Sequence, residues 1–158
     1  MRFLFALKLP RDASSVPVAR HIVSSTMLEL GIDEDCINDV GVAVTEACTN
    51  VLKHAREDDD EYEVEVSFNR ETAAIRIKDT GRGFDHESLE DAQRGVHELA
   101  PDLTRESGRG IMLMRALVDD LEFTSEPEAG TIVHLTKSIT LTEGSWLSHL
   151  ETARASRA

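Results

Sequence analysis

The first ten residues set Phe3, Phe5, Leu7 and Leu9 two apart, the period of a half-buried strand, predicted over roughly 2 to 9. The period then lengthens. "SSVPVARHIVSSTMLELG" opens on serines suited to capping, spaces Ala19, Ile22, Val23, Thr26 and Leu30 by three and four, and stops at Gly31, which predicts a helix. A second helix, about Asp33 to His54, begins on acids that complement a helix N-terminus and carries Val40, Val44, Ala47, Val51 and Ala55 on one face. Alternation returns in "YEVEVSFN" (Tyr62, Val64, Val66, Phe68) and "AAIRIKDTG" (Ile75, Ile77), and the polar "NRET" between them predicts an antiparallel hairpin. A loop-like stretch from about 85 to 107, with a short helix near 87 to 94, leads to a helix at about 109 to 119. Two strands follow, "LEFTSE" and "TIVHLTK", joined by a turn at "PEAG". The order βααββαββ predicts an α+β fold, a two-layer sandwich with helices on one face of a mixed or antiparallel sheet. The divisions expected are a single domain over 1–140 and a C-terminal tail, 141–158, of unassigned order.

At 158 residues, with 41% hydrophobic and 30% charged content, the chain is of ordinary size for one globular domain. Aromatic residues are few (five Phe, one Tyr, one Trp), so aliphatic side chains must fill most of the core. No apolar run reaches the roughly 20 residues of a membrane helix, and the apolar start suits a strand better than a signal peptide. The reading that follows is a cytoplasmic protein without a membrane partner. Cys36 and Cys48 fit neither a disulfide scaffold nor a zinc pattern, and Cys48 reads as a small buried apolar residue.

The net charge of −13 argues against nucleic acid as a direct partner, since phosphate binding needs a basic face, and favours a basic protein partner. The acidic run "EDDDEYE" reads as a solvated turn between helix and strand.

Three local patterns carry chemistry. In "VTEACTNVLKHA" the residues Glu46, Asn50 and His54 are four apart, which stacks an acid, an amide and an imidazole on one helix face beside the apolar stripe. A solvated helix edge would show the same spacing. "KDTGRGFD" puts Asp79 at a strand end, where its carboxylate can accept from an amino group. Gly81 and Gly83 follow, where a flat ring can approach the backbone. An acid accepting from an exocyclic amine suits adenine. "ESGRGIMLMRALVDDL" places Gly108, Arg109 and Gly110 before a helix with Ile111, Met114, Leu117, Val118 and Leu121 at helical spacing, the makings of an anion site at a helix N-terminus.

Acid–amide helix, DxGxG, loop, GxG–helix and a final "GT" strand occur here in one order over residues 46 to 136. This order resembles the histidine-kinase-like ATPase superfamily of gyrase B, the heat-shock chaperone, MutL and the sensor kinases. Within it the chain is most similar to bacterial anti-sigma factors that are also serine-protein kinases. The resemblance implies a Bergerat-type sandwich with ATP between sheet and helices. It makes Asn50 the magnesium ligand, Glu46 the general base and Asp79 the adenine-recognising acid, flanked by Gly81 and Gly83. Residues 85 to 107 become the ATP lid, and Ser107, Gly108, Arg109 and Gly110 its phosphate-gripping end. Thr131 becomes the residue supporting Asp79, and Lys53 and His54 lie near the phosphates. Sensor kinases usually have asparagine where Glu46 stands and need a histidine-bearing dimerisation helix that is not found here. The anti-sigma class remains. Its members typically dimerise, bind a sigma factor or an anti-anti-sigma factor, and phosphorylate a serine of the latter. "VARHIV" resembles its partner-binding helix, with Arg20 at the contact surface.

The expected function is therefore an ATP- and Mg2+-dependent anti-sigma factor with serine/threonine kinase activity, acting as a homodimer. Two readings stay open beside it: an ATP-binding regulatory module with little or no transfer, and an interaction domain that has lost its nucleotide.

Overall fold

The structure, a computed structural model, describes residues 2–54, 61–79, 106–126 and 130–149. Five strands form one sheet in the order β1-β2-β3-β5-β4. They are β1 (Phe3–Pro10), β2 (Glu61–Phe68), β3 (Thr72–Asp79), β4 (Asp120–Glu126) and β5 (Gly130–Ser138). Every neighbouring pair is antiparallel. Three helices accompany it: α1 (Ser15–Leu30), α2 (Glu34–His54) and α3 (Glu106–Leu117). Helix α2 runs between the other two and packs across β3 and β5, with α1 against β1 and α3 beside β4. This is the α+β sandwich read from the periodicities.

The two-residue period shows why the sheet has one buried face. On β2, Tyr62, Val64, Val66 and Phe68 are buried, and on β3 so are Ala73, Ile75, Ile77 and Asp79. The intervening positions carry the charges. The core is mainly aliphatic, with Val23, Met27, Val40, Val44 and Val51 from the helices meeting Ile75, Ile77, Val133 and Leu135 from the sheet. Asn69 closes the hairpin: its Oδ1 accepts the Glu71 and Thr72 N–H groups, each at 2.7 Å.

Two boundaries differ from the sequence reading. The serines at α1 do not cap it. Ser14 has helical dihedrals and no capping bond. Its N–H and hydroxyl both turn back to the Asp12 carboxylate, at 2.8 and 2.6 Å. The charged acceptor two residues back thus engages the serine that would otherwise serve the helix. Helix α3 also begins earlier, at Glu106 rather than about 109, so Gly108 and Gly110 lie inside its first turns. The short helix expected near 87 to 94 lies outside the described residues.

Residues 139–149 pack onto the turn between α1 and α2. Thr142 N–H donates to Gly31 O at 2.7 Å, Asp33 N–H to Thr140 O at 2.8 Å, and Ser145 Oγ to Leu30 O at 2.6 Å. Gly31 has φ 77°, and a Cβ there would lie 2.7 Å from Ser145 Cα, so glycine is required both by conformation and by the contact. Leu147 is buried, and Trp146 stands edge-on to Phe3 with ring centroids 6.1 Å apart. A groove of about 460 Å3 lined by Phe3, Ser25, Thr26, Glu29, Leu30 and Trp146 opens beside it and contains none of the site residues.

Candidate functional site

The acid–amide stripe of α2 meets the start of α3. Glu46 is partly buried and Asn50 only 4% exposed, so this is not a solvated helix edge. The contact explains Gly110. A Cβ at that position would lie 2.7 Å from Glu46 Oε2 and at ordinary contact, 3.8 Å, from Asn50 Oδ1, so glycine lets the Glu46 carboxylate rest against the α3 backbone where a methyl group would push it aside. The pattern that looked like a glycine-rich lead into a helix is part of a helix whose Gly110 faces the Glu46 carboxylate. No hydrogen bond to the Asn50 side chain is present among the described residues.

Asp79 ends β3 on the helix-facing side of the sheet and is 2% exposed, a buried carboxylate at the strand terminus as expected. It stands directly opposite Tyr62, across the β2–β3 ladder. The Tyr62 hydroxyl and Ser15 Oγ are 2.7 Å apart, and Ser15 Oγ donates to Asp12 O at 2.7 Å. Cys48, on α2 between Glu46 and Asn50, is fully buried as well. Burial pushes the Cys48 thiol and the Tyr62 phenol up to about 12 each, so both stay protonated near neutrality. Sequence reasoning missed this cluster. The available signal was that Tyr62 is the chain's one tyrosine, set at the head of a strand otherwise aliphatic on its buried face, where a phenol needs a partner.

The remaining residues separate into placed and unplaced. Arg109 is exposed in the first turn of α3, and Lys53 is exposed near the end of α2. Arg20 is exposed on α1, its stem crossing Gly41 of α2, where a Cβ would meet Arg20 Cγ at 3.7 Å. His54 closes α2, Ser107 and Gly108 lie in the first turn of α3, and Thr131 is in β5, but their side chains are outside the described residues. Gly81, Gly83 and nearly all of the lid expected over 85 to 107 lie outside them too. Among the described residues no three His, Cys, Asp or Glu side chains cluster to hold a metal, and both cysteines are free and buried. No helix among them is long and apolar enough to cross a membrane.

Comparison with known proteins agrees with this arrangement. The family described as "Histidine kinase-like ATPase domain" matches residues 9–137. The chain is similar to a serine-protein kinase RsbW of Oceanobacillus iheyensis, 32% identical over 136 residues, covering 84% of this chain and 85% of the relative. It is also similar to an anti-sigma F factor of Bacillus licheniformis, 31% identical over 121 residues, covering 77% and 82%. Among solved structures, that of the RsbU and RsbW domains of Rv1364c from Mycobacterium tuberculosis superposes with a TM-score of 0.57 at 15% identity. The match covers 87% of this chain and 33% of that longer one, a likeness of fold. The antiparallel five-stranded sheet, Gly110 of α3 against Glu46 and Asn50, and the buried Asp79 thus stand in a chain that belongs to the histidine kinase-like ATPase domain family, alongside the RsbW serine-protein kinases and the anti-sigma F factors.

Proposed function

We propose that this protein is an ATP-dependent anti-sigma factor that sequesters a sigma factor and phosphorylates a serine of an anti-anti-sigma partner. The observation that carries the proposal is the packing of Gly110 against Glu46 and Asn50, with Asp79 buried at the neighbouring strand end. It brings the Glu46 carboxylate, the Asn50 amide and a helix start together, and leaves the Asp79 carboxylate for the adenine. The relatives named serine-protein kinase and anti-sigma factor support the same reading.

In this reading Asp79 accepts from the adenine amino group, with Gly81, Gly83 and Thr131 around it. The phosphates lie toward the start of α3, near Ser107, Gly108, Arg109 and Gly110, and toward Lys53 and His54. Asn50 fits a magnesium ligand, because its buried amide has an oxygen to spare and magnesium takes few protein oxygens beside phosphate and water. Magnesium would supply charge neutralisation across the phosphates. The partner serine attacks the γ-phosphorus, the bond to the β-phosphate oxygen breaks, ADP leaves, and Glu46 takes the serine proton. Arg109 adds positive charge where the transferred group becomes more negative.

In this reading the protein acts in the cytoplasm as a homodimer. Arg20 on exposed α1 forms part of the partner surface, and the net charge of −13 matches the basic surfaces a DNA-binding sigma factor must carry. Purified protein incubated with labelled ATP, magnesium and each candidate partner tests the proposal. Label on a partner serine, lost in Glu46→Gln, is the expected result. Magnesium-dependent ATP binding without transfer to any partner would instead establish a regulatory binding module.

A further inference from the structure

Helix α2 carries Asn50 and Lys53 in its last two turns, and the end of a helix is the part least held by the helix's own hydrogen bonds. We propose that Arg11 is a positioning residue of the nucleotide site, clamping the end of α2 so that Asn50 stays fixed where magnesium binds. The inference rests on the assignment of Asn50 given above.

Arg11 follows β1 directly and is half-buried. Its Nη2 donates to the Leu52 carbonyl oxygen at 3.3 Å, a bond between residues 41 apart in sequence. Leu52 is among the last four residues of α2, which ends at His54. Its carbonyl therefore has no N–H within the helix to accept from, and the guanidinium supplies the donor. The charge also has the right sign, since the carbonyls at a helix C-terminus carry partial negative charge.

Arg11 can hold the helix because it stands on a fixed turn. Before it, Leu9 and Pro10 are in register with Tyr62 and Glu61 of β2. After it, Asp12 O accepts from the Ser15 N–H at 2.9 Å and from Ser15 Oγ at 2.7 Å. The Asp12 carboxylate takes both donors of Ser14. The backbone on either side of Arg11 is thus tied to β2 and to the start of α1, and the arginine side chain carries that fixed position across to α2.

The place of the bond along α2 decides what it affects. The middle of the helix is held by apolar contacts of Val40, Val44, Ala47 and Val51. Near the start, Lys137 Nζ donates to Asp39 Oδ2 at 3.2 Å, a tie to β5. Asp39 lies about 16 Å along the axis from Asn50, whereas Leu52 lies about 3 Å from it. Of these two polar ties, the one from Arg11 bears on Asn50. Opening a helix end costs little free energy unless something outside the helix holds it, and a tether at Leu52 raises that cost for the turn beginning at Asn50. Asp79 is on β3, so adenine recognition does not depend on the clamp and the hold on magnesium does.

The test uses the full-length protein with Arg11→Gln and Arg11→Lys. Arg76→Gln, on the outer face of the sheet, is a control with the same loss of charge. Hydrogen exchange is followed along α2 without nucleotide, and ATP binding by calorimetry with and without magnesium. In Arg11→Gln the amides of Leu52, Lys53 and His54 should exchange roughly three- to tenfold faster, as for the loss of one hydrogen bond, while those of Val40 to Val44 keep the wild-type rate. ATP affinity in magnesium should fall by a similar factor and the magnesium concentration that half-saturates binding should rise, with affinity in the absence of magnesium unchanged. Arg11→Lys keeps the charge without the planar fork and should fall between Arg11→Gln and wild type, and Arg76→Gln should match wild type. Wild-type exchange at residues 52 to 54 in Arg11→Gln overturns the inference. Faster exchange spread evenly along α2 also overturns it, because that reports lost stability instead of a local clamp. So does an equal loss of ATP affinity with and without magnesium. If Arg11→Gln does not fold, Arg11→Lys decides by the same criteria. Asn50→Ala separates the two levels. Magnesium-dependent binding lost there and intact in Arg11→Gln removes only the role of Arg11, whereas binding intact in Asn50→Ala removes the metal assignment and this inference with it.

Discussion

Two sets of polar residues occupy regular elements of this protein, and they have opposite surroundings. On the outer face of the sheet, Glu65, Arg76, His134 and Glu122 follow one another across four strands as direct cross-strand partners. Arg76 reaches Glu65 at 3.6 Å and His134 reaches Glu122 at 3.9 Å, all with substantial exposure. On the inner side, Asn50, Asp79 and Tyr62 are almost wholly enclosed. In the sequence both sets are simply polar positions at the right period. The outer set is in water and needs no further explanation. The inner set bears the desolvation cost of each group, which only a specific partner can offset. Burial, not polarity, is what distinguishes a site from a surface.

The largest effect that can break this contrast is expected at Asn50. Asn50→Ala should abolish magnesium-dependent ATP binding, a loss of at least about tenfold in affinity on the scale of 1–3 kcal/mol for a buried polar contact. Calorimetry with and without magnesium checks it. Equal affinities under the two conditions would return Asn50 to an ordinary buried amide. Gly110→Ala comes next. The added methyl would meet the end of the Glu46 side chain, which can swing away, and alanine improves helix propensity, so stability should hold or rise slightly. The carboxylate would nevertheless be displaced, and transfer should fall about tenfold or more, since a general base acts only from within hydrogen-bond reach. Thermal melts and kcat measured side by side should therefore diverge.

A smaller effect sharpens the inner side of the comparison. Folding raises the Cys48 thiol from 9.0 and the Tyr62 phenol from 10.0, each to about 12. Below pH 9 both states hold these protons and stability does not depend on them. Above it the unfolded chain gives up the thiol proton first and then the phenol proton while the folded chain keeps both. Stability should decline by up to about 1.4 kcal/mol per pH unit per group. Urea titrations at pH 8 and pH 10 would show this, and Cys48→Ala should flatten the early part of the decline. The smallest effect belongs to the outer face. Arg76→Gln should change stability by no more than about 0.5 kcal/mol and leave ATP affinity unchanged, as expected for a half-exposed ion pair. A change in ATP binding would mean that the outer face communicates with the site.

The sheet and its helices were legible because a single buried face imposes its period on each strand and helix. Tyr62, Val64, Val66 and Phe68 on β2 announce their own partners. The stripe on α2 was legible as a pattern, since Glu46 and Asn50 are one turn apart, but not as a buried surface, because the chain that covers it comes some sixty residues later. The start of α3 was misplaced for the same reason. Glycine counts against helix in local propensity, and only the Glu46 carboxylate, distant in sequence, shows that Gly110 is a helical residue making a close approach. Ser14 was read as a cap because serine is a good one, and an acid two residues away took its bonds instead. Tyr62 lay beyond sequence reasoning because its partner Ser15 stands 47 residues earlier, at the start of α1.

Residues 139–149 also carry a practical consequence. Trp146 is the chain's one tryptophan, and its ring stands against Phe3 at the very beginning of β1. Its fluorescence is therefore a built-in gauge of whether residues 139–149 have docked beside β1. On the ribosome they cannot meet until residue 146 has emerged, so the turn at Gly31 receives its bonds from Thr142 and Ser145 only after all five strands have been made. Emission from that indole would time the closure of the chain, with no label added.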